Sequence, residues 1–290
     1  LHRVDRRQRQ MCIRDSPTID HRGPDFTVLA NECLNGMKTI FKTKSDVVIY
    51  PASGTGAWEA ALVNTLNEGD LVLMVETGHF ASLWQTMALK LGVKTEFLET
   101  DWRRGVEPQK LYDRLINDPD QKIKAVCVVH NETSTGCKTR IPEVREAIDN
   151  SGHNALLMVD TISGLASMDF QHDNWGVDVT VSGSQKGLML PPGLSFNAIS
   201  DKALLKSKNC NYKRSYWDWE DQINSNKSGS FPYTPATNLL YGLKEAIIML
   251  HEEGLENIFK RHDKHAHATR IAVQAWGLEV LCVEEKDYSS

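Results

Sequence analysis

The sequence lacks long apolar runs, and no stretch approaches the ~20 residues that a membrane-spanning helix needs. Its longest apolar stretches, such as Ala155–Val159 and Leu71–Val75, have the length of strands. A strong excess of one charge is also lacking, because 33 basic and 38 acidic residues give a formal net charge of -5. Such a balance gives no reason to expect nucleic acid or an anionic membrane as a partner. The sequence therefore predicts a soluble protein with neither partner.

Paired cysteines are lacking as well. The six cysteines show no CxxC pair and no zinc-ligand spacing. This scatter argues against a disulfide framework and against a structural metal. We predict reduced thiols, no bound metal and a cytoplasmic location. A peroxisomal location is left open, because a targeting signal at a C-terminus beyond Ser290 would not be visible.

The middle of the chain alternates β-branched, apolar runs with segments of helical length. The strand-sized runs are Asp46–Tyr50, Leu71–Val75, Lys94–Leu98, Ile123–His130, Ala155–Asp160, Val177–Ser182 and Leu194–Ile199. The helical segments are Ala57–Asn67, Ser82–Leu91, Pro108–Ile116, Ile141–Ser151, Ala236–His251 and Glu256–Trp276. Strands that alternate with helices predict an α/β fold with a mostly parallel sheet and helices on both faces. One more strand, Leu278–Val283, is predicted near the end of the chain.

Four polar segments follow strands of this predicted sheet, at the edge where open α/β sheets bind ligands. Residues 53–56 (Ser-Gly-Thr-Gly) precede a helix whose N-terminus favours a phosphate, although a plain glycine turn is an equal alternative. Asp160 ends a strand, where a cap or turn role is the alternative. Lys186 lies among small residues after another strand, although lysine is normally solvated on a helix face. The fourth segment, residues 130–136, by itself favours a solvated loop.

The combination of these segments favours one cofactor. Pyridoxal phosphate (PLP) needs a lysine amine for a Schiff base, a carboxylate that keeps its pyridine nitrogen protonated, and a helix N-terminus for its phosphate. The released lysine can then move a proton between the substrate Cα and the cofactor. The stretch between Asp160 and Lys186 leaves room for one crossover and one strand.

Five motifs make a family resemblance specific. They are SGTGAWEAAL (53–62), HNETSTG (130–136), VDTISG (159–164), SGSQKGLMLPPG (182–193) and FPYTPATNLLYGLKEA (231–246). Together they resemble the class V aminotransferases of fold type I, and within them the serine–glyoxylate and alanine–glyoxylate group. The likeness extends from about Pro17 to Tyr288. It implies a transaminase that moves an amino group from serine or alanine to glyoxylate and releases glycine.

The resemblance also implies roles for individual residues. Lys186 would form the Schiff base, and Asp160 would be the partner of the pyridinium nitrogen. The residues implied at the phosphate are Ser53, Gly54, Thr55 and Gln185.

The remaining implied contacts involve the cofactor ring and a second subunit. Ile162 would pack under the ring, and Phe80 would stack on its face, although a buried core phenylalanine is an alternative of comparable weight. Thr133 would approach the phenolic oxygen. Thr234 would reach the phosphate bound to the other subunit, which implies a homodimer with shared active sites.

The resemblance further suggests how the chain is divided. Residues 1–16 are interpreted as an artefactual tail, because QRQMCIRDS resembles translated sequencing-adapter read-through. Residues 17–255 would form the PLP-binding large domain with its N-terminal segment. Residues 256–290 would be a connector helix and the start of a C-terminal small domain that is largely missing. The family's arginine for the substrate carboxylate would then lie beyond Ser290.

Two alternatives remain beside glyoxylate transamination. The first keeps the fold and cofactor but changes the reaction, for example to phosphonate transamination. Cysteine desulfuration is disfavoured, because no cysteine lies in a Gly/Ser-rich loop after Lys186. The second alternative is an inactive fragment that binds PLP weakly or only dimerises.

Overall fold

The computed structural model describes residues 18–290 of the chain. Its strands are β1 (Asp46–Tyr50), β2 (Leu71–Glu76), β3 (Lys94–Glu99), β4 (Ile123–Val129), β5 (Asn131–Glu132), β6 (Cys137–Lys138), β7 (Leu156–Asp160), β8 (Val179–Gly183) and β9 (Ser195–Ile199). Its α-helices are α1 (Pro24–Phe41), α2 (Gly54–Thr65), α3 (His79–Lys90), α4 (Pro108–Ile116), α5 (Ile141–Asn150), α6 (Asp201–Ser207), α7 (Trp219–Asn226), α8 (Thr237–Glu253) and α9 (Leu255–Ala275).

Seven of these strands form one mixed sheet in the order β1-β9-β8-β7-β4-β2-β3. Neighbours from β8 through β7, β4 and β2 to β3 pair in parallel. Strand β9 is antiparallel to both β1 and β8. The predicted α/β fold with a mostly parallel sheet is therefore confirmed, and β9 is the one reversed strand of this sheet in the described residues.

Apolar clusters cover both faces of the sheet. Alternate residues of β1 show this, since Val47 and Ile49 belong to one cluster while Val48 and Tyr50 belong to the other. Helices α1, α4, α5 and α8 contribute to the first cluster, and α2 and α3 contribute to the second. Burial of both side-chain sets explains why the strands are nearly continuous apolar runs in the sequence.

The structure differs from the sequence-based prediction near the end of the chain. The predicted strand Leu278–Val283 is wrong, because this segment pairs with no strand of the structure. It is held instead by contacts with a segment that is distant in the sequence, among them a hydrogen bond from the Val283 N–H to the Arg103 carbonyl oxygen (3.0 Å). Cys282 is buried there. An apolar, β-branched stretch forms a strand only where a neighbouring edge is open to it.

Three further observations concern residues 18–290 as a whole. None of their helices combines the length and apolar character that a membrane crossing requires. The same residues contain no cluster of three or more histidine, cysteine, aspartate or glutamate side chains able to hold a metal ion. Their five cysteines are free thiols. The tail predicted for residues 1–16 lies outside the described residues, and the proposed division at residue 255 stays a prediction.

Candidate active site

A cavity of about 170 Å³ lies where β4, β7 and β8 end. Nine of the ten site residues predicted from the sequence line it: Ser53, Gly54, Thr55, Phe80, Thr133, Asp160, Ile162, Gln185 and Lys186. Parallel strands bring their carboxyl ends to the same edge, which is why residues more than 100 positions apart in the chain meet here. Their chemical roles stay predictions.

One wall of the cavity is the N-terminus of helix α2. The helix begins at Gly54, and the Ser53 side chain does not cap it. A Cβ atom at Gly54 would collide with the Ile162 side chain, so any other residue at this position would force Ile162 to move. Free N–H groups and the helix dipole make such a terminus favourable for an anion.

Asp160, at the end of β7, supplies a buried carboxyl group with 4% of its surface exposed. Burial, with a smaller contribution from nearby Glu132, raises the pKa of Asp160 to about 7. Hydrogen bonds from the Ile162 N–H (2.6 Å) and the Trp58 indole N–H (2.9 Å) act in the opposite direction. No lysine or arginine among residues 18–290 forms an ion pair with Asp160. A cationic N–H group would therefore be a favourable partner for this carboxylate.

Lys186 lies on the loop that follows β8, and its side chain is exposed to the cavity. Ser184 fixes this loop, because its hydroxyl donates to the Pro191 carbonyl oxygen (2.8 Å) and accepts from the Leu194 N–H (3.2 Å). At Gly187 a Cβ atom would overlap the Leu165 carbonyl oxygen. These contacts hold the backbone of Lys186 at a defined position beside the cavity.

Glu132 joins two other walls of the cavity. This side chain is fully buried, and its carboxylate accepts hydrogen bonds from the backbone N–H groups of Phe80 and Ala81 (3.3 Å each) at the start of α3. The same carboxylate accepts from the backbone N–H (3.1 Å) and hydroxyl (2.6 Å) of Ser134. Glu132 thereby fixes the helix start that carries Phe80 and the turn that carries Thr133.

Sequence reasoning missed four residues that line the cavity, namely Trp58, Val129, Asn131 and Ser163. The side-chain amide NH₂ of Asn131 donates to the Ser163 hydroxyl (2.9 Å), while the side-chain oxygen Oδ1 of Asn131 is buried without a hydrogen-bond partner. The sequence could have indicated Trp58, because helical spacing places it on the same face of α2 as Gly54 and Thr55.

Thr234 is the one predicted site residue that does not line the cavity. It lies exposed on the segment between α7 and α8. Beside it, the Tyr233 ring stacks on the Tyr216 ring at a centroid distance of 5.2 Å. The contact predicted for Thr234 involves a second subunit, so a single chain does not test it.

Comparison with known proteins adds a family assignment to this geometry. The family model for class-V aminotransferases matches residues 13–289. A serine–glyoxylate aminotransferase from Methylorubrum extorquens is 46% identical over 292 residues, which cover 99% of this chain and 72% of that protein. An L-aspartate–glyoxylate aminotransferase from Paracoccus denitrificans is 42% identical over 276 residues, which cover 95% of this chain and 70% of that protein.

Solved structures agree with the fold. An alanine–glyoxylate aminotransferase from Nostoc superimposes with a TM-score of 0.86 at 28% identity, covering 96% of this chain and 74% of that one. An aspartate aminotransferase from Thermus thermophilus gives a TM-score of 0.88 at 26% identity, covering 97% of this chain and 77% of that one.

Proposed function

This chain belongs to the class V aminotransferases, and from that premise we propose that its cavity binds PLP and that it transfers an amino group to glyoxylate, giving glycine. The observation that carries this proposal is the identity of 46% over 99% of the chain with a serine–glyoxylate aminotransferase. The similar protein from Paracoccus denitrificans shares the acceptor glyoxylate but uses aspartate as the donor. The acceptor is therefore better supported than the donor, for which we propose serine, with alanine as the second candidate.

Several features of the cavity fit PLP. The uncapped start of α2 suits its phosphate, and the carboxyl of Asp160 has no cationic partner in the described residues. The Gln185 side-chain oxygen and the Asn131 side-chain oxygen are buried without hydrogen-bond partners beside the same space. Lys186 brings the only lysine amine among the residues that line this cavity.

Each wall of the cavity would then have a separate task. Lys186 would anchor the cofactor covalently and later move the proton at the substrate Cα. Asp160 would hold the pyridine nitrogen in its protonated form. When bound, PLP supplies an electron sink that stabilises negative charge at that Cα.

The other contacts orient the cofactor. Ser53, Thr55 and Gln185 would join the α2 N-terminus in holding the phosphate. Phe80 and Ile162 would pack on the two faces of the ring, and Thr133 would lie near the phenolic oxygen. Close packing on both faces would exclude water from the reacting carbon.

A homodimer is the finer part of this proposal. Thr234 is exposed and lies away from the cavity of its own chain, as expected for a residue that serves the site of a second copy. Thr234→Ala would then weaken PLP binding without lowering the unfolding free energy of the chain. A monomer in sedimentation equilibrium at all PLP concentrations would contradict this part.

The proposed reaction is tested by incubating the purified protein with PLP, glyoxylate and one donor at a time. Serine, alanine, aspartate and an aminophosphonate form the donor panel, and glycine is quantified. We expect glycine formation with serine or alanine, and none with Lys186→Ala. Turnover only with the aminophosphonate would favour the phosphonate reaction, and no turnover with any donor, despite bound PLP, would favour an inactive fragment.

A further inference from the structure

Two tryptophans pack together behind Asp160. Trp58 lies on α2 and Trp84 lies on α3, and their rings stack with centroids 5.8 Å apart and an interplanar angle of 12°. Both are buried, with 3% and 1% of their surfaces exposed. Both rings therefore belong to the core, and of the two only Trp58 also lines the cavity.

The two indole N–H groups differ in their partners. The Trp58 indole N–H donates to the Oδ2 atom of Asp160 at 2.9 Å. The Trp84 indole nitrogen is buried and has no hydrogen-bond partner in the described structure. Within residues 18–290, Trp58 is the only side chain that donates a hydrogen bond to the Asp160 carboxyl.

The other groups around Asp160 do not duplicate this contact. The Ile162 N–H donates to Oδ1, and the nearby Glu132 carboxyl disfavours a second negative charge. Lys186 lines the same cavity without an ion pair to Asp160. The His130 ring follows the neighbouring strand and packs against Phe170 at a centroid distance of 5.4 Å.

We propose that Trp58 is a positioning residue that orients the Asp160 carboxyl and favours its ionised form, whereas Trp84 contributes packing alone. The inference rests on the proposed function, because the orientation and charge of Asp160 matter as those of the partner of the PLP ring nitrogen. A hydrogen bond to a buried carboxylate stabilises the charged form and fixes the direction of its lone pairs.

Ionisation of Asp160 is sensitive to this one hydrogen bond. The pKa of Asp160 is raised to about 7, so the group is balanced between its two forms near neutral pH. Because the Trp58 hydrogen bond lowers that pKa, its removal raises the pKa further and leaves more of the carboxyl protonated. The effect is therefore largest at and below neutral pH.

The matched variants Trp58→Phe and Trp84→Phe test the proposal. Each removes one indole N–H and keeps an aromatic ring, but only the first removes a hydrogen bond. PLP is titrated into the cofactor-free protein at pH 6.5, 7.5 and 8.5, with its absorption band as the readout. At pH 6.5 we expect Trp58→Phe to bind PLP roughly tenfold to hundredfold more weakly than the wild type, and this difference should become smaller as the pH rises. For Trp84→Phe we expect at most about a threefold change in PLP affinity.

A second measurement keeps the test independent of the cofactor. Unfolding of the cofactor-free variants in urea is followed between pH 7 and 8.5. The higher pKa of Asp160 in Trp58→Phe should make its folding equilibrium constant fall by up to about tenfold per pH unit, while Trp84→Phe follows the wild type. Equal pH dependence of the two variants in both measurements would overturn the proposal. Absence of a PLP band in the wild type would overturn the proposed function. The pH dependence of unfolding would then decide whether Trp58 favours the ionised form of Asp160.

Discussion

Replacing Asp160 by asparagine should make the cofactor-free protein more stable at alkaline pH. Burial raises the pKa of Asp160 from an ordinary value of 3.8 to about 7 in the folded chain. Between these two values the unfolded chain has already lost the proton that the folded chain still holds. The wild type therefore loses stability as the pH rises, until the folded group also ionises.

The size of this effect follows from the shift in pKa. A rise of about three units in the pKa of Asp160 lowers the unfolding free energy of the wild type by about 4 kcal/mol at pH 8 and by roughly 1.5 kcal/mol at pH 5. The asparagine side chain of Asp160→Asn would carry no charge, but its NH₂ group would oppose one of the donors Ile162 and Trp58, which costs about 1–3 kcal/mol. That cost is the same at both pH values. The stability of Asp160→Asn relative to wild type should thus increase by roughly 2–3 kcal/mol from pH 5 to pH 8.

Urea unfolding of both cofactor-free proteins at pH 5 and pH 8 measures this difference. Asp221→Asn makes the same change at an exposed aspartate in the first turn of α7 and is the matched control. Added PLP should stabilise the wild type far more than Asp160→Asn. A stability difference that does not change with pH, or equal stabilisation of both proteins by PLP, would refute the reasoning about Asp160.

Three other substitutions test further parts of the structure. Glu132→Gln disturbs four hydrogen bonds and should therefore lower the unfolding free energy in urea by about 1–3 kcal/mol. The same change at exposed Glu220 should alter the unfolding free energy by no more than about 0.5 kcal/mol. Equal effects of the two substitutions would contradict the role of Glu132 in holding the start of α3. Gly54→Ala should displace Ile162 and weaken PLP binding at least about tenfold in a titration, and unchanged binding would show that the helix start tolerates a Cβ atom. Burial lowers the pKa of His172 to about 4, so His172 should lower the unfolding free energy by up to about 2 kcal/mol as the pH falls from 6.5 to 5, and the stability of His172→Gln relative to the wild type should rise by that amount. A stability difference between the two proteins that stays constant in urea unfolding would contradict this role of His172.

Most of the sheet could be predicted from the sequence, because strands buried on both faces need apolar residues at nearly every position. Strand β1 was predicted with the bounds that it has, and β7 within one residue of them. The short helix α7 was missed, since polar residues fill most of it. Its start does carry a local signal, because the Asp218 side chain accepts hydrogen bonds from the Glu220 and Asp221 N–H groups.

The strand ends of the candidate site could also be predicted, whereas the contacts between them could not. Asp160 and Lys186 were found from their positions after two strands, since parallel strands end at one edge. The hydrogen bond from Trp58 to Asp160 joins residues about 100 positions apart, and no spacing rule reports it. The same holds for Glu132 and the start of α3, because such contacts depend on how helices pack on the finished sheet.

The central claim is that the cavity binds PLP through the Lys186 amine. Visible absorption spectra of the wild type and of Lys186→Ala, each with added PLP, test it most directly. The account predicts a yellow band in the wild type that borohydride abolishes and that Lys186→Ala lacks, while both proteins keep the same far-ultraviolet circular dichroism. An identical band in both proteins, or no band in a folded wild type, would contradict the account.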